Sequence, residues 1–328
     1  MRSPPRLRSG DEIRCIAPAR NATVPWVQAI WQNAVDRIRR EGFVLTCGES
    51  IGAHGTYDSA PVETRLADLH AAFADPQVKA IISLVGGYNS NRLLRGIDYD
   101  LIARNPKILC GYSDITALTH AIHARTKLVT YSGPHLFNFG DLQGADYTVR
   151  SFKECLTSSD PLVLRPSERW SADLWANDQH NRSFVDNVGP FVLQEGEAEG
   201  ISLGGNLFAL MHLAGTAFWP GLDGAILFVE DYVGLSPQIL EARLESLCSQ
   251  ADFSGLRAIL FGRFHPGSCI DRIVLAEIVR GNDALAHLPI VGDLDCGHTH
   301  PIFTFPVGGR VRIVADRGRS PVLTVLEH

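Results

Sequence analysis

Residues 107–118, KILCGYSDITAL, place a serine where a nucleophile is useful. The stretch reads as a short apolar strand that stops at Gly111, then as a helix that begins near Asp114. Ser113 sits at the junction. A serine on a sharp strand-to-helix turn projects its hydroxyl beyond the sheet edge. The amide of the next residue, Asp114, is then free at a helix N-terminus, where it can stabilise a developing oxyanion. The spacing is not G-x-S-x-G, because residue 115 is Ile115. Ser113 or Asp114 would serve equally well as a plain helix cap, so the serine acquires meaning only from its partners.

A serine nucleophile needs a base, and the base needs an acceptor that orients it. Among twelve histidines, His298 in DCGHTHPIFTFPVGG is the best placed. It follows a strand and a glycine, on a loop of the kind that carries functional groups. His300 competes with it. The H-x-H pair could also hold a metal, but no third ligand is placed by the sequence, so no metal site is expected. The best acid is Glu230, the last residue of the apolar run GAILFVE. A carboxylate at the end of a buried strand needs a partner, and an imidazole N–H would supply one. Asp231, Asp293 and Asp295 are alternatives that chemistry alone leaves open.

Gly86 and Gly87 end another buried strand, KAIISLVGG. A glycine pair there lets the backbone approach a ligand and offers further oxyanion donors, although a plain turn would look the same. LGGN (203–206) precedes a helix and could receive an anionic group at its N-terminus, near Asn206. Neither glycine pair fits G-x-G-x-x-G, so no dinucleotide cofactor is expected. Trp170 and Trp175 lie in a polar segment, where a ring could stack on a flat ligand or plug the segment onto the core.

These groups need a frame. Strand and helix patterns alternate over the first 135 residues or so, which predicts a doubly wound parallel sheet. In such sheets ligands sit beyond the carboxyl ends of the strands, where Gly86, Gly87 and Ser113 all fall. Residues 158–198 are polar and lack a clear period, and read as a linker or crossing loop. A second α/β region with a mainly β core begins near 199. The expected division is therefore 1–157 as an N-terminal α/β domain, 158–198 as the connection, and 199–328 as a smaller C-terminal domain.

The chain has 328 residues, enough for about two domains. Its net charge of −6 and the lack of a basic run argue against a nucleic-acid partner. No apolar run approaches the roughly 18 residues of a membrane span. The basic N-terminus has no apolar stretch after it, so no secretory signal is expected. Seven scattered cysteines without a C-x-x-C pair read as reduced core residues.

Together these pieces resemble the serine peptidases that include the LD-carboxypeptidases and the microcin C self-immunity (MccF-like) proteins. The resemblance runs through LRSGDEIRCIAPA, ETRLADLHAAFADPQVKAIISLVGGYNSNRLL, IDYDLIARNPKILCGYSDITALTHAI, EGISLGGNL, ILFVED and DCGHTHPIFTFPVGG. It implies a Ser-Glu-His triad of Ser113, Glu230 and His298, with His298 preferred over His300 and Glu230 over Asp231. It also implies an oxyanion hole from Asp114 and the Gly86-Gly87 turn, in a cleft between two domains. Family members are typically cytoplasmic homodimers that need no metal or cofactor. GGYNSN, CGHTHP and the tryptophan-bearing segment look more like the MccF branch, which cleaves aminoacyl- or peptidyl-nucleotides. Substrate contacts are then expected at Asn89, Trp170, Trp175 and Asn206. The alternatives are an LD-carboxypeptidase acting on murein tetrapeptide, or a non-catalytic protein that binds a ligand in the same cleft.

Overall fold

The structure, a computed structural model, describes residues 1–23, 25–173 and 178–328, with the backbone alone for 25–29. In the first half, apolar strands alternate with helices. These are β1 (Glu12–Ile16), α1 (Pro25–Arg40), β2 (Val44–Cys47), α2 (Val62–Ala74), β3 (Val78–Ser83), α3 (Tyr99–Arg104), β4 (Ile108–Cys110), α4 (Ile115–Thr126) and β5 (Thr130–Ser132). The strands lie parallel in the order β5-β4-β3-β1-β2. The winding reverses between β3 and β1, which opens a crevice at the carboxyl ends. Both faces of the sheet are buried, as parallel sheets require. Along β4, Leu109 enters one core while Ile108 and Cys110 enter the other.

After α5 (Ala145–Thr157) come β6 (Leu162–Leu164), β7 (Arg169–Trp170), β8 (Val185–Asp186) and β9 (Phe191–Gln194). Then follow β10 (Gly196–Asn206), α6 (Leu207–Met211), β11 (Ala225–Glu230), α7 (Pro237–Cys248), β12 (Ala258–Gly262), α8 (Arg272–Arg280) and β13 (Ile290–Leu294). The chain ends with β14 (Phe305–Val307), β15 (Arg310–Ala315) and β16 (Val322–Glu327). The second sheet runs β6-β16-β15-β10-β11-β12-β13-β9, with β10 to β13 parallel and antiparallel strands outside them.

Two features differ from the sequence reading. Residues 158–198 are more than a connection, because β6 and β9 form the two edges of the second sheet and β7 pairs with β8. These strands are two to four residues long and partly exposed, so they carry too little period to be read. The C-terminal region is also not confined to the second sheet, because it donates β14 as the antiparallel edge beside β5.

Candidate active site

Ser113 follows β4 and precedes α4 with φ of +58°, a left-handed backbone that side-chain-bearing residues seldom adopt. The turn is packed tightly from below. A side chain on Gly111 would collide with the Ser83 hydroxyl and with Ile115. The strain aims Oγ out of the sheet, 3.0 Å from Nε2 of His298. His298 is held by the loop after β13, and its Nδ1 lies 2.7 Å from Oε2 of Glu230, the last residue of β11. Three residues distant in sequence thus form one hydrogen-bonded chain at the carboxyl ends of three parallel strands.

Two glycines make the slot for the Glu230 carboxylate. A Cβ on Gly262 would stand 3.1 Å from Cβ of Glu230, and one on Gly297 would stand 2.9 Å from Oε2. The neighbouring acid is spent elsewhere. Asp231 pairs with Arg243 of α7 and accepts the Tyr232 amide. His300 turns to Asp141, with Nδ1 3.8 Å from Oδ2. Asp293 accepts from Arg272 at 2.6 Å and Asp295 from Arg263 at 2.7 Å.

Electrostatics separate the histidines. Burial disfavours a charged His298, but the charge and hydrogen bond of Glu230, helped by Asp231, overcome it and raise the pKa above the usual 6.5. Burial, with the nearby Arg182 and His298, pulls His300 down to about 3. Burial also drives His135 far below its ordinary value, and His298 adds to the effect.

The expected oxyanion donors border the serine. A Cβ on Gly86 would meet Cβ and Oγ of Ser113 at 3.0 and 3.1 Å, and one on Gly87 would meet Ala19 at 2.9 Å. The amides of Gly86, Gly87 and Asp114 donate to no acceptor among the described residues. The Asp114 carboxylate looks the other way. It accepts the amides of Asn89 and Ser90 at 3.0 and 2.9 Å and so fastens the turn that follows Gly87. Burial raises its pKa against the pull of these bonds.

A cleft of about 420 Å³ opens over Ser113, walled by Tyr88, Phe137, Phe208 and Tyr232, with Arg20 and Arg243 as its cations. Tyr88 and Tyr232 meet edge to face across it, 6.4 Å between centroids. Asn206 lines the cleft and caps α6 by accepting the Ala209 amide at 3.0 Å. Asn89 does not line it, because its side chain is engaged by Arg65 and Ser59 at 3.0 and 2.9 Å. Trp170 is also turned away. Its ring lies 4.8 Å under the guanidinium of Arg263, which is itself fixed by Asp295 and Asn187. The cleft is reached instead by Ala172 and Asp173, just after it. Trp175 lies outside the described residues. The sequence reading did not single out Tyr88, Tyr232 or His135. The first two stand within two residues of Gly86-Gly87 and Glu230, which is the only signal they carry.

The two halves of the chain match the N-terminal and C-terminal domain models of LD-carboxypeptidases, over residues 13–133 and 199–313. The chain belongs to the LD-carboxypeptidase family. Members resemble it along nearly their whole length. YocD of Bacillus subtilis (strain 168), named only provisionally as a carboxypeptidase, is 44% identical over 317 residues and 97% of both chains. The crystal structure of an MccF-like protein from Bacillus anthracis str. Ames superposes with a TM-score of 0.96, at 41% identity and full coverage of both chains. MccF, the microcin C7 self-immunity protein, gives 0.89 at 31% identity in its complex with glutamyl sulfamoyl guanosine, covering 99% of this chain and 98% of its own. A muramoyltetrapeptide carboxypeptidase from Oxalobacter formigenes gives 0.77 at 26% identity, covering 97% and 99%. Among the described residues no helix is long and apolar enough to cross a membrane.

Proposed function

We propose that this family member is a serine amide hydrolase in which Ser113 is the nucleophile, His298 the general base and acid, and Glu230 the residue that orients His298. The observation that carries the reading is the unbroken chain Ser113–His298–Glu230, at 3.0 and 2.7 Å, beneath a cleft of substrate size. Ser113 attacks the scissile carbonyl as His298 takes its proton. The amides of Asp114 and the Gly86-Gly87 turn receive the oxyanion. His298 returns the proton to the leaving amine, and water resolves the acyl-enzyme by the same route.

The favoured substrate class is an acidic aminoacyl or peptidyl group joined to a modified nucleotide, as in processed microcin C. Support comes from the closer superposition on MccF than on the muramoyltetrapeptide carboxypeptidase. An aromatic wall of Tyr88, Tyr232 and Phe208, fit for a flat base, adds to it. Removal of the terminal D-residue from murein tetrapeptide is the second reading, since the same cations would suit a terminal carboxylate. We infer a cytoplasmic homodimer from family habit.

Turnover of aspartyl sulfamoyl-adenosine by wild type and Ser113→Ala, with murein tetrapeptide alongside, tests both parts. Cleavage of the nucleotide substrate, lost in the variant by about 10⁶-fold, is expected. Cleavage of murein tetrapeptide alone would reject the nucleotide assignment, and tight binding of either without turnover would reject catalysis.

A further inference from the structure

His135 is a second histidine beside the nucleophile, and the steps above give it no work. It sits just after β5 with no exposed surface, yet it borders the cleft. Its ring is clamped, stacked on Tyr112 at 4.3 Å with Phe137 at 5.4 Å. Nδ1 is engaged by the Ser83 hydroxyl at 2.6 Å. Nε2 is buried and has no hydrogen-bond partner among the described residues.

The place that Nε2 faces is informative. The point where a Cβ on Gly86 would fall lies 3.3 Å from Nε2 and 3.1 Å from Oγ of Ser113. With glycine there, no side chain stands between the nucleophile and this nitrogen. A buried polar nitrogen with no partner is costly to keep. Keeping it implies a partner in another state of the site.

Two placements of the ring proton fit the contacts. Nδ1–H donates to Ser83 Oγ at 2.6 Å while the hydroxyl donates to the Cys110 carbonyl at 3.4 Å, or the hydroxyl donates to Nδ1 and the ring hydrogen sits on Nε2. The second is the one that makes Nε2 a donor. Burial holds the ring neutral. A neutral N–H, shut off from water and locked by stacking, is a preorganised donor for charge that develops on an oxygen next to it.

We propose that His135 is a further catalytic residue, whose Nε2–H donates to the substrate oxygen that becomes negative when Ser113 attacks. It rests on the reading of Ser113 as nucleophile. The backbone amides of Asp114 and the glycine turn hold the same oxygen from the chain side, and His135 closes the third side.

The test is ¹⁵N NMR of imidazole-labelled wild type, free and after reaction with a fluorophosphonate, which would leave a tetrahedral phosphorus on Ser113. Intact mass reads adduct formation, and His135→Gln assigns the signal. Nε2 is expected to be protonated in both states, with its proton moving downfield in the adduct. An adduct with an unprotonated Nε2, or with an unmoved proton, overturns the role of His135 alone. Failure to form any adduct at Ser113 overturns the nucleophile reading and this one with it. Kinetics give a second readout. His135→Phe, which keeps the stacking, should lose about 10²-fold in kcat with KM changed less than about twofold. His135→Gln, which retains an N–H, should recover at least about tenfold of that. Equal losses in both variants, or a loss confined to KM, would mean that the ring only packs.

Discussion

Gly297 stands against Glu230 so closely that a Cβ on the glycine would lie 2.8 Å from Cβ of the glutamate and 2.9 Å from Oε2. Gly297 therefore shapes the seat of the carboxylate that meets His298. Gly297 also has φ of +108°, where a side chain is strained whatever the space. Gly297→Ala should displace the carboxylate, lower kcat by at least about tenfold and cost about 1–3 kcal/mol of stability. Steady-state kinetics and thermal unfolding check this. A variant with wild-type kcat would mean that the carboxylate tolerates displacement.

If His298 is the general base proposed above, its raised pKa should set the acid limb of activity. A general base must be neutral, and a histidine whose pKa lies above 6.5 gains its proton at a higher pH as pH falls. The acid limb of kcat/KM should therefore have its midpoint above 6.5. In Glu230→Gln the attraction is gone while burial remains, so the midpoint should shift downward as the rate falls. A midpoint that stays in place would show that another group titrates.

Neighbouring acids should differ sharply. Glu230→Gln removes the acceptor of His298 and should cost about 10⁴-fold in kcat, by analogy with other triads. Asp231 is turned to Arg243, so Asp231→Asn should change kcat by less than about tenfold. Arg243→Leu should instead reduce stability, by about 2 kcal/mol, because it leaves a carboxylate unpaired and nearly unexposed. Denaturant unfolding and kcat, measured on all three variants, separate these roles.

Trp170 should behave as a packing residue. With its ring under Arg263 and away from the cleft wall, Trp170→Leu should lower the melting temperature by a few degrees. KM for the nucleotide substrate should change less than about twofold. A rise in KM of tenfold or more would place the indole on the substrate after all.

Much of this was legible in the residues. The parallel frame followed from alternating strand and helix patterns, and Ser113 from its place at a strand end. Chemistry alone could not choose between Glu230 and Asp231, because both follow the same apolar run. Only packing turns one toward His298 and the other toward Arg243. The short strands of 158–198 escaped because edges of two to four residues carry no period, and β5, three residues long, escaped for the same reason. Trp170 misled because an indole in a polar segment looks ready for a ligand, whereas a buried arginine from β12's end covers it. His135 left no trace in the sequence, since only the fold brings it beside Ser113 and Gly86.

Residues 295–304 carry His298 and run from β13 of the second sheet to β14, which completes the first. One apolar core also continues through both halves, from Ile16 and Leu109 to Phe228 and Phe305. The two matched regions thus share one core and exchange a strand. Cut near 158–198, the leading piece would bare the hydrogen-bonding edge of β5, and the trailing piece would carry β14 with nothing to pair against. Heat or denaturant should dismantle the halves in one cooperative transition, and the site would vanish with the first loosening of either.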